Sequence, residues 1–347
     1  MIRVVSVIVA VAMVVACHAQ DKAQVFLLMG QSNMLGEGSI GPDNKNGSLG
    51  FAVKTEHKYV YLWDAKNNSW AVRDDVRYVE IIGSGNESFA KAKLGHNEWM
   101  TVTGNTIGPE LGIGNFVGNF SKPKVMILKG CIGNRALGWD LLPPGSEEWA
   151  YTDSKGNQWT YAGYHDSPEK WAKGTKPKPI NWMAGEQYDG DTERMSFVLS
   201  NFSAYMPEET DYEVAGFFWW QGDRDRYDSG LSERYETNLV QLIKTLRKKY
   251  NVPSAKFVIA SLGQTPMGAT GNEGMILQAM LNVANATLYP QFEGNVGTVY
   301  SHPLSMGGSS ASHYGGNAET YMNIGEAMGD KMVNLMKADE EYAHYYH

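Results

Sequence analysis

Cysteine is almost missing from this sequence: its 347 residues contain only Cys17 and Cys131. If an N-terminal signal is removed, Cys131 stands alone and no intramolecular disulfide can form. Cys131 lies beside the apolar run from Val125 to Leu128, and we interpret it as a small buried side chain of the core. The fold must therefore be stabilised by its hydrophobic core, for which 43% hydrophobic residues are sufficient.

Motifs that bind metal ions or phosphate are also missing. No spacing of histidine, cysteine and carboxylate residues matches a zinc site or an EF-hand. No glycine-rich loop of the phosphate-binding type occurs. We therefore expect this protein to need neither a metal ion nor a cofactor.

Positive charge is in deficit, with 30 lysines and arginines against 38 aspartates and glutamates and a net charge of -8. Binding to nucleic acid requires a clustered excess of positive charge, so we expect no nucleic-acid partner. Long apolar runs are lacking as well, because no segment after the N-terminus approaches the roughly 20 apolar residues of a membrane-spanning helix. We therefore expect no membrane span.

The N-terminus predicts an export signal over residues 1–19. Arg3 supplies positive charge, the apolar run from Val4 to Ala16 is too short for a membrane span, and small residues follow it. Cleavage after Ala19 would give a secreted or periplasmic protein. Alternatively, the residues up to Cys17 resemble a lipobox, in which Cys17 would carry a lipid anchor. We favour free export, because the first predicted strand near Val25 would leave a very short tether.

Short apolar runs alternate with helical patterns along the rest of the chain. Five runs are typical of buried parallel strands: Ala23–Met29, Lys124–Leu128, Val214–Trp220, Lys256–Ala260 and Val296–Tyr300. Four stretches have helical periodicity: Pro109–Phe116, Ser232–Tyr250, Asn272–Thr287 and Ala318–Lys337. This alternation predicts an α/β fold with a mostly parallel five-stranded sheet, whose functional site lies at the carboxyl ends of the strands.

Two long stretches interrupt this alternation, near residues 39–103 and 141–191. The first is polar and rich in glycine and asparagine, and the second contains Trp149, Trp159, Trp171 and Trp182. Loops of this length within a compact domain tend to be functional. We interpret both as insertions that form walls of the site within a single domain spanning 20–347. The abundance of tryptophan and tyrosine, 10 and 19 residues, would suit a surface that stacks on sugar rings.

The stretch Gly30-Gln31-Ser32-Asn33-Met34 follows the first predicted strand directly. A serine at this place would have its hydroxyl exposed at the edge of the sheet, where a nearby base could make it a nucleophile. It could equally cap a helix. Spacing alone favours the cap, because the Gly-x-Ser-x-Gly pattern of a nucleophile elbow is missing.

Four blocks of the sequence resemble the SGNH hydrolase superfamily, specifically its sialate O-acetylesterase-like carbohydrate esterases. The stretch around Ser32 resembles the first block, and Lys129–Trp139 resembles the second. Phe218–Asp223 resembles the Trp-x-Gln-Gly-Glu block, with aspartate in place of glutamate, and Ser312-His313-Tyr314 resembles the last block. The blocks occur in the family order over residues 24–337. The resemblance implies a three-layer α/β/α sandwich, SGNH or flavodoxin-like, that acts as a serine esterase.

The resemblance also implies a role for each matching residue. Ser32 would attack an ester carbonyl, and His313 would accept its proton. The donors of the oxyanion hole would be the N–H groups of Ser32 and Gly133 and the side-chain amide of Gln221. The substrate would be an acetylated carbohydrate. Residues expected to contact it are Gln31, Asn134 and Trp139.

The sequence departs from the family pattern beside the histidine. The superfamily has aspartate three residues before the catalytic histidine, whereas this sequence has Ser310. Asp223 could orient His313 instead, or a backbone carbonyl or the Ser310 hydroxyl could do so in a Ser-His dyad. A third alternative is that His302 is the base. Because the usual carboxylate stabilises the charged imidazole, its loss would lower activity.

Two functions follow from this sequence. The first is a secreted carbohydrate esterase that removes O-acetyl groups from a glycan or polysaccharide. The second is an SGNH-fold carbohydrate-binding protein in which catalysis is impaired. An esterase for a differently modified glycan or a lipid ester is a variant of the first.

Overall fold

The structure is a computed structural model that describes residues 22–346, with side chains described as far as residue 338. The predicted export signal, including Cys17, lies outside these residues. The described part contains the following strands: β1 (Ala23–Gly30), β2 (Gly38–Ser39), β3 (Trp63–Asp64), β4 (Ser69–Trp70), β5 (Val76–Ile82), β6 (Lys93–Trp99), β7 (Thr106–Ile107), β8 (Val125–Gly130), β9 (Trp149–Thr152), β10 (Gln158–Tyr161), β11 (Lys170–Ala172), β12 (Tyr212–Trp220), β13 (Lys256–Ala260) and β14 (Val296–Val299).

The α-helices of the described part surround the main sheet or precede its strands. Their bounds are as follows: α1 (Ser32–Leu35), α2 (Leu49–Lys54), α3 (Glu110–Phe120), α4 (Glu186–Ser200), α5 (Phe202–Tyr205), α6 (Ser229–Lys249), α7 (Gly271–Val283) and α8 (Ala318–Tyr346). Within residues 22–346, no helix is both long enough and apolar enough to cross a membrane.

A seven-stranded sheet in the order β14-β13-β12-β1-β8-β5-β6 forms the centre of the molecule. Its neighbouring strands are parallel, except that β6 pairs antiparallel to β5 at one edge. The predicted α/β class with a mostly parallel sheet is confirmed. All five predicted strands are present as β1, β8, β12, β13 and β14.

The predicted number of five strands is wrong, because β5 and β6 come from the stretch that the sequence analysis treated as an insertion. In β5, Arg77 and Glu80 interrupt the apolar run, so the pattern of a buried strand is broken. Edge strand β6 has no buried residue. Polar edge strands protect a sheet from pairing with other chains, and the same polarity hides them from a search for apolar runs.

Two hydrophobic layers cover the two faces of the sheet. On one face, α4, α6 and α7 pack through residues such as Met195, Leu242 and Met280. On the other, α3 and α8 pack through residues such as Val117 and Met328. Consecutive residues of β1 and β8 alternate between the two layers, as side chains of a strand must. The result is the expected three-layer α/β/α sandwich.

The tryptophan-rich stretch folds into a separate antiparallel sheet in the order β11-β10-β9. It packs on a third, small hydrophobic cluster that includes Trp139 and Leu142 from the loop after β8. The other stretch supplies helix α2 and the short β3–β4 pair in addition to β5 and β6. The loop after β8 is thus covered by the tryptophan-rich sheet.

Candidate active site

Three loops meet at the carboxyl edge of the three central strands. Strand β1 ends at Gly30, β8 at Gly130 and β12 at Trp220, and β1 lies between the other two. The sequence blocks that follow these strands therefore come together in space. This edge is where ligands bind in open α/β sheets.

Ser32 is the first residue of the short helix α1. Gln31 before it has an extended backbone and no side-chain capping bond, so Ser32 does not occupy the capping position. The Ser32 side chain is half-buried, and its hydroxyl has no hydrogen-bond partner among residues 22–338. At Gly30, an added Cβ would lie 2.2 Å from the Trp220 carbonyl oxygen, so only glycine allows this approach of chain to chain.

The backbone of Gly133 borders the Ser32 side chain. A Cβ built on Gly133 would lie 3.4 Å from the Cβ of Ser32, an ordinary van der Waals contact. Within residues 22–338, neither the Ser32 N–H nor the Gly133 N–H donates a hydrogen bond to the protein. Backbone N–H groups without acceptors at the start of a helix are available to an anionic oxygen. The Ser32 N–H at the start of α1 and the Gly133 N–H in the loop after β8 are therefore both free to donate to a bound oxygen.

Gln221 has a different environment from the one that the family resemblance implied. It is fully buried, and its Nε2 atom faces the oxygens of Gln31 at 3.2 Å, Arg135 at 2.8 Å and Asp225 at 2.5 Å. Its Oε1 atom accepts a hydrogen bond from the Tyr235 hydroxyl at 2.9 Å. Two amide hydrogens already face three acceptors, so none is left for an oxyanion. In this arrangement Gln221 links loops rather than contacting a substrate.

Two of the three predicted substrate contacts are buried. Gln31 is 2% exposed, and its Oε1 atom accepts hydrogen bonds from Gln221 and from the backbone N–H of Arg224. Trp139 is 7% exposed and belongs to the cluster beneath the tryptophan-rich sheet. Both side chains are thus almost covered by protein in this conformation, and their contact with a substrate stays a prediction. Asn134 is exposed beside Gly133, with a left-handed backbone at φ 55°, and is free to contact a substrate.

Asp225 is a buried residue that the sequence analysis did not single out. Its two carboxylate oxygens accept hydrogen bonds from the backbone N–H groups of Leu137 and Gly138, each at 2.9 Å, and from Gln221. Burial raises its pKa to about 7, although these donors oppose the shift. In the sequence it lies among charged residues, next to Arg224 and Arg226. Only the tertiary structure shows that its side chain points into the protein.

His313 lies in a strained turn, Ser310–Gly316, that packs beside α1. His313 and Tyr314 both have left-handed backbones, with φ values of 50° and 54°. Such conformations are costly for residues other than glycine and tend to persist where the surroundings enforce them, often at functional sites. Here Tyr314 anchors the turn: its ring is buried against Trp220, and its hydroxyl accepts a hydrogen bond from the Gly263 N–H at 3.0 Å.

Asp223 bonds to Ser310, the residue at the position of the usual aspartate. The Ser310 hydroxyl donates a short hydrogen bond to Oδ1 of Asp223, which also accepts one from Arg226 Nε at 2.8 Å. Among residues 22–338, the ring nitrogens of His313 have no hydrogen-bond partner. Asp223 therefore contacts the turn that carries His313, but does not contact the imidazole itself.

His302, the alternative base, follows β14 on a short turn. Its Nδ1 atom donates to the Gly263 carbonyl at 2.8 Å, if that nitrogen carries the proton. This bond would leave Nε2 as a free acceptor. The turn that packs beside α1 is nevertheless the one with His313.

Lys129 fixes the far end of α1. Its ammonium donates to the Leu35 carbonyl at 2.7 Å and to Glu110 at 2.9 Å, and lies 3.0 Å from Glu80. All three side chains are buried. Although burial opposes the charged form, the two glutamates raise the pKa of Lys129, so it remains a cation. This buried triad was not foreseen, because in the sequence its members are far apart.

Residues 169–334 match a family model described as "Carbohydrate esterase, sialic acid-specific acetylesterase". The predicted resemblance to the sialate O-acetylesterase-like carbohydrate esterases is thereby confirmed. The matched range includes the third block with Gln221 and the turn with His313, and it begins after the loops of Ser32 and Gly133.

Solved structures similar to this chain include two proteins with related descriptions. A carbohydrate acetylesterase from Xanthomonas citri aligns with a TM-score of 0.52 and 14% identity, over 90% of this chain and 55% of that one. NanS aligns with a TM-score of 0.44 and 13% identity, over 92% and 98%. A protein from Arabidopsis thaliana aligns with a TM-score of 0.49 and 17% identity, over 90% and 98%. The first alignment supports the fold. No curated protein gave a significant match.

Proposed function

We propose that this protein is an exported carbohydrate esterase that removes O-acetyl groups from a glycan or polysaccharide, with Ser32 as nucleophile and His313 as base. The observation that carries the proposal is the surroundings of Ser32. Its hydroxyl is unbonded, and two N–H groups without acceptors, its own and that of Gly133, lie beside it. Such a pair is what a tetrahedral oxyanion requires.

The reaction would proceed in two steps. Ser32 Oγ attacks the acetyl carbonyl carbon while His313 takes its proton, and the two N–H groups stabilise the oxyanion. Collapse of this intermediate breaks the bond to the sugar oxygen, which leaves with the proton from His313. Water, activated by the same histidine, then releases acetate from Ser32.

His313 is the preferred base because of what surrounds it. Its turn packs beside α1, and its ring nitrogens have no partner within residues 22–338, so they are available to Ser32 and substrate. We propose that Asp223 acts on it indirectly. Asp223 accepts a hydrogen bond from the Ser310 hydroxyl and so stabilises the strained turn. This turn then sets the orientation of the imidazole. The pair would then be a Ser-His dyad supported by Asp223 and Ser310.

The tryptophan-rich sheet is the proposed sugar-binding wall. It packs on the loop that follows Gly133. Three tryptophans of the sheet and one that follows it remain half-exposed: Trp149, Trp159, Trp171 and Trp182. Aromatic faces stack on the C–H faces of sugar rings. Together with the exposed Asn134, this sheet would form the carbohydrate side of the cleft, and the oxyanion hole would hold the acetyl group.

Hydrolysis of a chromogenic acetyl ester tests the proposal. The wild type should turn over the ester, and Ser32→Ala should lower kcat by more than about a thousandfold. His313→Ala should lower kcat by at least about a hundredfold. His302→Ala is the matched control and should retain activity within about tenfold of wild type. Equal activity of wild type and Ser32→Ala would rule out this function.

An alternative function is carbohydrate binding without catalysis. It is favoured by one observation, that no carboxylate contacts the His313 ring among the described residues. In that case acetylated glycans should bind measurably in calorimetry while every ester remains intact. Turnover that depends on Ser32 would exclude the alternative.

The export of the protein is likewise a proposal that rests on residues 1–19. Expression of the full sequence in a bacterial host should yield a mature chain that begins at Gln20. Mass spectrometry of the N-terminus distinguishes this outcome from a chain that begins at a lipid-modified Cys17.

A further inference from the structure

The loop that carries Gly133 has few bonds of its own near the nucleophile. Within residues 22–338, the backbone N–H groups of Gly133 and Asn134 donate to no protein acceptor. The position of the Gly133 N–H therefore depends on the next part of the loop. An oxyanion donor is effective only if it is fixed before the charge develops.

Two buried carboxylates fix that next part of the loop. Asp140 accepts the Ala136 N–H at 2.8 Å, and Asp225 accepts the N–H groups of Leu137 and Gly138 at 2.9 Å each. Asp225 is the more distant anchor, because it belongs to the loop after β12. It therefore couples the second loop of the site to the third.

Gln221 strengthens the same coupling from beside Asp225. Its amide donates to the Arg135 carbonyl and to Asp225, and its own orientation is set by the Tyr235 hydroxyl. Gln31, directly before the nucleophile, accepts from Gln221 as well. All three loops of the site thus meet in one buried polar network. Such networks rigidify a site when every member has a partner.

We propose that Asp225 is a positioning residue, whose carboxylate sets the place of the Gly133 N–H in the oxyanion hole. This inference rests on the proposed esterase function and adds to it a residue that touches neither substrate nor nucleophile. Both carboxylate oxygens of Asp225 act only as acceptors in the bonds that they make here. An amide at this position would direct N–H groups against the donors of the loop or of Gln221.

The test compares wild type with Asp225→Asn on the same acetyl ester. Active enzyme is first counted by stoichiometric labelling of Ser32 with a fluorophosphonate. Per labelled site, kcat should fall about tenfold to a hundredfold, because a donor of the oxyanion hole is displaced. The KM should change less than about twofold, because ground-state binding does not use the oxyanion hole. The rate of labelling, in which the phosphonate oxygen occupies the same hole, should fall with kcat.

Asp64→Asn is the matched control. Asp64 also accepts two backbone N–H groups, from Lys66 at 3.0 Å and Asn67 at 3.1 Å, in the exposed turn between β3 and β4. The Asp64→Asn substitution should leave kcat, KM and the labelling rate unchanged. A merely structural role of Asp225 would lower the number of labelled sites and leave kcat per site unchanged, and that result would overturn the proposal.

If Asp225→Asn does not fold, the Tyr235→Phe variant is used for the same test. It removes the hydroxyl that orients Gln221 and should lower kcat per site severalfold at constant KM. Unchanged kcat would then overturn the proposal. The two proposals also fail differently: a wild type that neither hydrolyses esters nor labels at Ser32 contradicts the esterase function. If the wild type is active and the variants have the same kcat per labelled site, only the role of Asp225 is contradicted.

Discussion

The buried carboxylate of Asp225 should make the stability of this protein depend on pH. Burial raises its pKa from 3.8 to about 7 in the folded state, and nearby Asp140 contributes to that direction. The folded state therefore holds the proton more tightly than the unfolded chain. This stabilisation is complete below about pH 4 and is lost as pH rises towards 7.

The size of the effect follows from the shift. Each pKa unit corresponds to about 1.4 kcal/mol, so between pH 5 and pH 8 this group should remove roughly 3 kcal/mol from the free energy of unfolding. Asp225→Asn cannot lose a proton. The variant carries its own constant cost from misdirected N–H groups, but its stability should lack this part of the pH dependence.

Urea unfolding, followed by tryptophan fluorescence, measures the effect. Both proteins are unfolded at pH 5 and at pH 8, and the difference in free energy between them is compared. Other titrating groups are shared and cancel. The free energy of unfolding of the variant should lie further below that of wild type at pH 5 than at pH 8. The two differences should themselves differ by roughly 3 kcal/mol. A difference that is the same at both pH values would refute the assignment of a raised pKa to Asp225.

Further substitutions test other parts of the account. Ser310→Ala should lower kcat by about tenfold or more, less than the roughly 10⁴-fold cost of a lost triad carboxylate. Asp223→Asn should act through the same bond, so steady-state kinetics of the double variant should show no further loss, whereas additive losses would argue against the link. Lys129→Met should cost about 3–5 kcal/mol in urea unfolding, because it leaves two glutamates buried without their cation. An unchanged unfolding midpoint would contradict that role.

The central strands could be predicted from sequence because they are buried on both faces. Continuous apolar runs such as Val125 to Leu128 are typical of such strands. Strand β6, exposed along one edge, offers no such signal. Helix α4 was also missed, because buried polar residues, Asp191 and Arg194 among them, disrupt its apolar stripe. Such pairs are recognisable only when the partners are seen in contact.

The site was predicted in outline but not in its partners. The order of the blocks placed Ser32 and Gly133 at neighbouring strand ends, where the structure has them. It could not show that the Gln221 amide is used by other loops, or that Trp139 lies beneath a sheet formed by residues far along the chain. The direction of a side chain is set by tertiary packing. For the same reason the burial of Asp225, which has charged neighbours in the sequence, could not be foreseen.

The central claim of this account is that Ser32 is the nucleophile. Reaction of the protein with a fluorophosphonate, followed by intact-mass measurement and peptide mapping, tests it most directly. The account predicts one adduct per chain, located on Ser32 and formed at a rate that falls in His313→Ala, with none in Ser32→Ala. An adduct on another residue would contradict it, and so would full esterase activity of the Ser32→Ala variant.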